Sequence, residues 1–280
     1  MTVTLLPGTQ ARTSRVSHRA GAGAARAGTA EVPVSMIERM TLILDAFDAA
    51  TPTLTLLGLV ERTGLPRSTV HRILDQMIRL RWLAHTSGGY RLGMRALELG
   101  GLTADHNEIR DAVSPLLHEL CQRTGMVGHL AVLDGHEVVY LDKAGGRLAA
   151  MLPTRLGGRM PAHCTALGKA MLASLEPSVA EAAFHSRLPR LTAHTITEPE
   201  VLHRTLAQIR LRQGVALDRQ EALDGIGCVA APLRVRGSAP AALSLSGRVD
   251  AMSFDKLARV LLEISHEAGR ALFPRRARWR

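Results

Sequence analysis

Arg67, Ser68, Thr69, His71 and Arg72 set five hydrogen-bonding side chains, two of them permanently cationic, within six consecutive positions. At helical spacing Val70, Ile73 and Leu74 face the opposite way, so this polar side is free to meet something other than the protein's own core. A guanidinium group forks onto a phosphate or onto the acceptor edge of guanine, and Ser, Thr and His bond to either. Charge is concentrated locally as well. Between Pro66 and Arg95 the only acid is Asp75, against Arg67, Arg72, Arg79, Arg81, Arg91 and Arg95. The chemistry indicated is contact with a nucleic-acid duplex, and a solvated helix face is the plain alternative.

A second group of residues suits a small ligand. Ser244 and Ser246 alternate in a strand-like run, so both hydroxyls face one side of it. Asp218 could hold a ligand hydroxyl or stabilise a turn, and Cys228 could contact a ligand or simply fill core space. Two structural serines remain the other reading of the pair. An enzyme can be assembled on paper from Cys164 as nucleophile, His163 or His129 as base and Asp218 as orienter. Adjacent helical residues such as His163 and Cys164 point in different directions, however, and no nucleophile motif surrounds them. "ALGKA" is no phosphate loop, because His163 stands where the first glycine belongs and Ala170 replaces the hydroxyl residue. His129, His136 and His163 lack metal-ligand spacing. No catalytic residue, metal or cofactor is expected.

The elements that position these residues can be read in order. "SMIERMTLILDAF" opens with a capping box, Ser35 and Glu38, and places Ile37, Met40, Ile43, Leu44 and Phe47 on one stripe. Thr55 caps a short helix carrying Leu56, Leu59 and Val60 inward, and Gly64 ends it. Pro66 suits the first turn of the next helix, which buries Val70, Ile73, Leu74, Met77 and Leu80. "WLAHTSGGYRLG" then predicts two short strands about Ser87-Gly88-Gly89. Three helices and a hairpin make a winged helix-turn-helix, in which the second helix of the motif enters the major groove.

Beyond it lies a mainly helical stretch with the Gly100-Gly101 pair as hinge or end, and after Gly125 the period changes to that of strands. "MVGHLAVL" and "EVVYLD" flank an Asp134-Gly135 turn. A helix follows in "HCTALGKAMLASL", another after Thr197 with "TEPE" as a capping box, then a hairpin turning at Arg236-Gly237-Ser238 and a last helix from near Ser253. Helices and antiparallel strands in this order predict an α+β fold.

The chain has 280 residues, enough for two ordinary domains, and a formal net charge of +10 with pI near 10.8. Such a surface attracts polyanions, although part of the excess lies in the terminal stretches, at Arg12, Arg15, Arg19, Arg26, Arg275, Arg276, Arg278 and Arg280. Three cysteines, an odd number with no Cys-x-x-Cys, argue against a disulfide framework or a structural zinc and for a reducing compartment. No apolar run approaches membrane-spanning length. The first thirty residues read as a disordered basic tail, with a transit peptide as the other reading of their composition.

Several of these segments together resemble the IclR-type transcriptional regulators. "LVERTGLPRSTVHRILDQMIRLRWL" and "GGYRLGMRALELG" look like that family's winged-helix domain; "RMPAHCTALGKAMLASL", "TITEPEVLHRTLAQIRLRQGVALDRQEALDGIGCVAAPLRV" and "AALSLSG" look like its effector-binding domain. The resemblance covers about Ser35 to Leu272. It implies a winged helix-turn-helix domain over 34–98, a linker helix over 99–111 and a GAF-like effector-binding domain over 112–274 with an antiparallel sheet flanked by helices, to which composition adds a disordered basic tail over residues 1–33 and a basic end over 275–280. By motif it places DNA contacts at Thr55, Arg67, Ser68, Thr69, His71, Arg72 and Arg91, and effector contacts at Ala166, Leu167, Asp218, Ile226, Cys228, Ser244 and Ser246. The implied partners are a double-stranded operator, a small effector such as an organic acid or aromatic metabolite, and further copies of the chain, as homodimer or homotetramer. The implied setting is the bacterial cytoplasm, in association with the nucleoid, and repression is the commoner mode. An enzyme with an appended DNA-binding head and a non-specific basic nucleic-acid protein are the competing readings.

Overall fold

The computed structural model describes residues 35–272 apart from 49, 106, 183–187 and 234–239. The two expected tails and the expected turn at 236–238 lie outside these residues. The chain divides into two compact units, the first ending at Glu98 and the second beginning at Leu99.

The first unit opens with α1 (Met36–Asp45), started by the expected capping box: Ser35 Oγ accepts from the Glu38 N–H and Glu38 Oε2 accepts from the Ser35 N–H. Thr55 caps α2 (Leu56–Thr63) by accepting from the Gly58 N–H at 3.1 Å, and Gly64 closes it in the left-handed region. Helix α3 spans Arg67–Arg79. Pro66 stands one residue earlier than expected, outside the first turn, where its carbonyl accepts from the Val70 N–H. Ile43, Leu59, Val70, Ile73, Leu74 and Met77 meet in one core. Two members of the expected stripes stay outside it. Ile37 is 74% exposed in the first turn of α1, and Leu80 is 60% exposed because it caps the end of α3.

Strands β1 (Leu83–Thr86) and β2 (Gly89–Leu92) form the expected hairpin. Leu54 joins it by exchanging both backbone hydrogen bonds with Tyr90. At Gly89 the carbonyl oxygen of Leu54 lies 2.4 Å from where a β-carbon would stand, so only glycine lets the chain ahead of α2 approach the hairpin.

Helix α4 (Met94–Asp105) runs straight through Gly100-Gly101, contrary to the expected hinge. Neither glycine is forced by a neighbour, and the break comes instead at Asn107, whose side chain caps α5 (Glu108–Thr124). Residues 99–111 therefore hold the end of one helix and the start of another. Then follow β3 (Val127–Asp134), β4 (Glu137–Ala144), the short α6 (Arg147–Met151), β5 (Arg159–Pro161), α7 (Ala166–Ser174), α8 (Pro177–Ala182), α9 (Pro199–Leu211), β6 (Ala216–Arg219), β7 (Ile226–Leu233), β8 (Ala241–Arg248) and α10 (Phe254–Leu272). The expected capping box at Thr197 is not formed. Glu198 occupies the N-cap of α9 with Pro199 behind it, and the Thr197 hydroxyl accepts from Arg190.

Six strands make one antiparallel sheet in the order β5-β4-β3-β8-β7-β6. Alternation sends Leu130, Val229, Leu243 and Leu245 to a face covered by α5 and α10. Ala131, Cys228, Ala230 and Ala242 take the other face, where α7 and α9 pack. Helix-turn-helix unit and layered α+β unit match the expected fold class.

Candidate functional site

On α3 the apolar stripe fixes what the other side can do. With Val70, Ile73 and Leu74 buried, Arg67, Ser68, His71 and Arg72 are exposed and Thr69 is half-buried. His71 Nδ1 lies 3.3 Å from Asp75 one turn on, so the single acid of this stretch sits against that imidazole. Among the described residues Arg67, Arg72 and Arg91 have no ion-pair or hydrogen-bond partner. Arg91 is exposed on β2. Two other arginines of the stretch are engaged, since Arg81 pairs with Glu98 and Arg95 lies over the Trp82 ring at 5.4 Å. Thr55 is exposed, but its oxygen already serves the α2 cap.

The second unit holds a cavity of about 70 Å3, open in part to solvent, between the sheet, the start of α7 and the segments about 152–154 and 222–226. Six of the seven effector-type residues line it: Leu167, Asp218, Ile226, Cys228, Ser244 and Ser246. Ala166 does not. It is fully buried in the core at the first position of α7. The strand register explains how distant residues meet, because His129 on β3 pairs with Ser244 on β8, Ser246 with Cys228 on β7, and Cys228 with Asp218 on β6. Directly paired residues of antiparallel strands share a face, so these side chains form a polar strip across an otherwise aliphatic wall.

Satisfaction along the strip is uneven. Ser246 Oγ lies 3.2 Å from Cys228 Sγ, and His129 Nε2 lies 2.8 Å from Thr154 Oγ1. Ser244 Oγ is fully buried and makes no hydrogen bond of ordinary geometry among the described residues, only a weak approach to the Cys228 thiol. Asp218 accepts from the Glu221 N–H at 2.6 Å, and burial raises its pKa to about 7 despite that bond and the nearby Lys169 cation. Burial, helped by the Lys143 cation, holds His129 down to about 4, so the ring is neutral at ordinary pH. Lys143 itself donates to the carbonyls of Leu152 and Thr154, which fixes that edge of the cavity. On the other edge Thr192 and Thr195 donate to the carbonyls of Gln220 and Glu221. Behind Asp218 the Lys169 ammonium pairs with Glu221 in the core, and Glu221 Oε2 has no partner among the described residues.

Sequence reasoning passed over His129, Tyr140, Thr154, Met160 and Thr165 as lining residues. The only prior signal was a histidine in a strand that otherwise alternates aliphatic residues. The paper nucleophile does not assemble. Cys164 donates to the Pro161 carbonyl and burial pushes its thiol up to about 12, while His163 bonds the Pro189 carbonyl. Among the described residues no cluster of three or more His, Cys, Asp or Glu could hold a metal ion, and no helix is long and apolar enough to cross a membrane.

Comparison with known proteins matches both units. Residues 36–87 fit the IclR helix-turn-helix domain and residues 102–272 the bacterial transcriptional regulator IclR C-terminal domain. The chain is 37% identical to the HTH-type transcriptional regulator XynR of Escherichia coli over 224 residues, covering 78% of this chain and 88% of that protein. It is 29% identical to the transcriptional repressor IclR of the same organism, covering 80% and 84%. Among solved structures it resembles an IclR homolog from Microbacterium hydrocarbonoxydans complexed with 4-hydroxybenzoate, with a TM-score of 0.74, 29% identity, and coverage of 85% of this chain and 99% of that one. Each of these relatives is named for its place in transcription control or in this family.

Proposed function

The chain belongs to the IclR family of bacterial transcriptional regulators, and from that premise we propose that it is a cytoplasmic repressor whose operator affinity is set by a small metabolite. In this reading α3 enters the major groove, with Arg67, Ser68, Thr69, His71 and Arg72 reading bases or phosphates, Thr55 touching the backbone and Arg91 reaching from the hairpin. The observation that carries it is the partition of α3: an apolar stripe docked on the core, and opposite it arginines with no partner among the described residues. Unpaired guanidinium groups beside short polar side chains are costly to hold against anything but solvent or phosphate.

The cavity over the sheet is the effector site, and an organic acid or aromatic metabolite is the ligand class; the relative complexed with 4-hydroxybenzoate supports this. Regulation works if ligand alters the spacing of two α3 helices, since half-sites lie ~34 Å or a multiple apart. That needs at least a dimer. Helices α1 and α4 leave Met36, Ile37, Met94 and Leu97 exposed, apolar surface that a second copy could cover. Residues 99–111 are the connection through which the signal would pass.

Arg72→Ala is expected to weaken binding to the promoter beside its own gene by roughly tenfold at fixed salt, the usual worth of one good Arg contact. Its melting temperature should not move, because the side chain is exposed. Electrophoretic mobility assays on that promoter and on random duplex read both affinity and preference. Parental binding by the variant, or equal binding of both duplexes by the parent, sinks the proposal.

A further inference from the structure

His129 and Ser244 are directly paired across β3 and β8, both line the cavity, and both leave hydrogen-bonding capacity unused. Ser244 Oγ makes no hydrogen bond of ordinary geometry among the described residues, only a weak approach to the Cys228 thiol, and His129 is bonded through Nε2 to Thr154 with no hydrogen bond at Nδ1 among those residues. His129 is 3% exposed and Ser244 0%. A fully buried hydroxyl without a good partner is costly unless another polar atom reaches it, and the paired imidazole borders the same cavity.

We propose that His129 is a specificity-determining residue of this cavity, and that with Ser244 it forms a subsite for a hydroxyl group on the effector. The proposal rests on the cavity being the effector site. A hydroxyl fits because it both donates and accepts, whichever tautomer His129 adopts. A carboxylate fits poorly at this point. Among the described residues no Lys or Arg lines the cavity, the Lys143 ammonium is spent on the carbonyls of Leu152 and Thr154, and the Lys169 ammonium is paired with Glu221. A desolvated anion beside a neutral imidazole would find no countercharge there. The effector class is therefore a hydroxylated small molecule, with any acid group placed away from the β3–β8 pair.

The test uses the full chain and two matched pairs of probes, 4-hydroxybenzoate with benzoate and 4-hydroxybutyrate with butyrate, titrated calorimetrically. In at least one pair the hydroxylated member should bind about tenfold or more tightly, the size of one unmet buried hydrogen bond. Two conservative variants separate ligand contact from structural tether. Gln at position 129 keeps an amide near Nε2, which holds Thr154; Asn keeps one near Nδ1. His129→Gln should therefore fold with a parental melting temperature and lose the preference for the hydroxylated probe, whereas His129→Asn should retain it. Equal binding of both members of each pair by the parent, an unchanged preference in His129→Gln, or no binding of either hydroxylated probe at millimolar concentration overturns the subsite. Ser246→Val tells this failure from the larger one. If it abolishes probe binding while His129→Gln leaves the preference intact, the cavity remains the effector site without the subsite; if probes bind and neither variant matters, the cavity itself is not the site.

Discussion

Asp218 has a carboxyl held at about 7 by burial, far above its unfolded value near 3.8. Between those values the folded chain keeps a proton that the unfolded chain has released, so this residue's contribution to stability falls as pH rises from about 4 to about 7 and stays low above that. His129 works in the opposite direction. Its ring is neutral when folded down to about 4 yet protonates near 6.5 when unfolded, so its contribution is lost as pH falls through that window. The two partly cancel in the whole protein, and a variant separates them. Asp218→Asn can still accept the Glu221 N–H through Oδ1 and removes the buried charge. Its stability relative to the parent should rise between pH 5 and pH 8, by an amount on the order of a few kcal/mol at most. Urea unfolding at both pH values measures it, and a difference that does not change with pH rejects the buried-charge account.

Two helical glycines make opposite demands at the level of the element. In α7 a β-carbon on Gly168 would stand 2.2 Å from the Ala162 carbonyl oxygen, so this glycine is what lets the turn at 162–164 lie against the helix that walls the cavity. In α2 a β-carbon on Gly58 would meet Leu54 and Thr55 at an ordinary 3.5 Å. Gly168→Ala should cost roughly 1–3 kcal/mol through forced backbone movement, whereas Gly58→Ala should gain up to about 1 kcal/mol from helix propensity. Equal effects in chemical denaturation would show that helix propensity, not space, governs both.

The same contrast marks what the amino-acid pattern could reveal. Periodicity located the longer helices and strands, because each buries one face and that face must be apolar, but not the short α6, α8, β5 and β6, which span too few residues to show a period. It could not say which turns of a helix find cover, so Ile37 and Leu80 were misplaced. Nor could it rank rival caps: Thr197 looked the better starter than Glu198 until Arg190 took its hydroxyl, and Gly100-Gly101 looked the better break than Asn107. The motif residues of the cavity were legible through family resemblance. His129 and Thr154 were not, since only strand register and a connecting segment bring them to Ser244, and neither leaves a local trace.

At the scale of the whole molecule, the core about Ile43, Leu59 and Leu74 and the layered cores over the sheet share no residue. Each unit has its own reason to fold, so calorimetry of the full chain should show two transitions. Operator DNA should raise one of them, and a cavity ligand the other, each by mass action on the native form alone. A single transition moved equally by both would refute separate cores. The sheet adds a further consequence. One of its faces is mainly aliphatic and bears on α5 and α10, while the opposite face carries the row from His129 to Asp218. With the cavity as the effector site, mutation along that row would exchange one recognised metabolite for another and leave the supporting layer intact. A lineage built on this frame would then be free to drift in what it senses faster than in how it holds together.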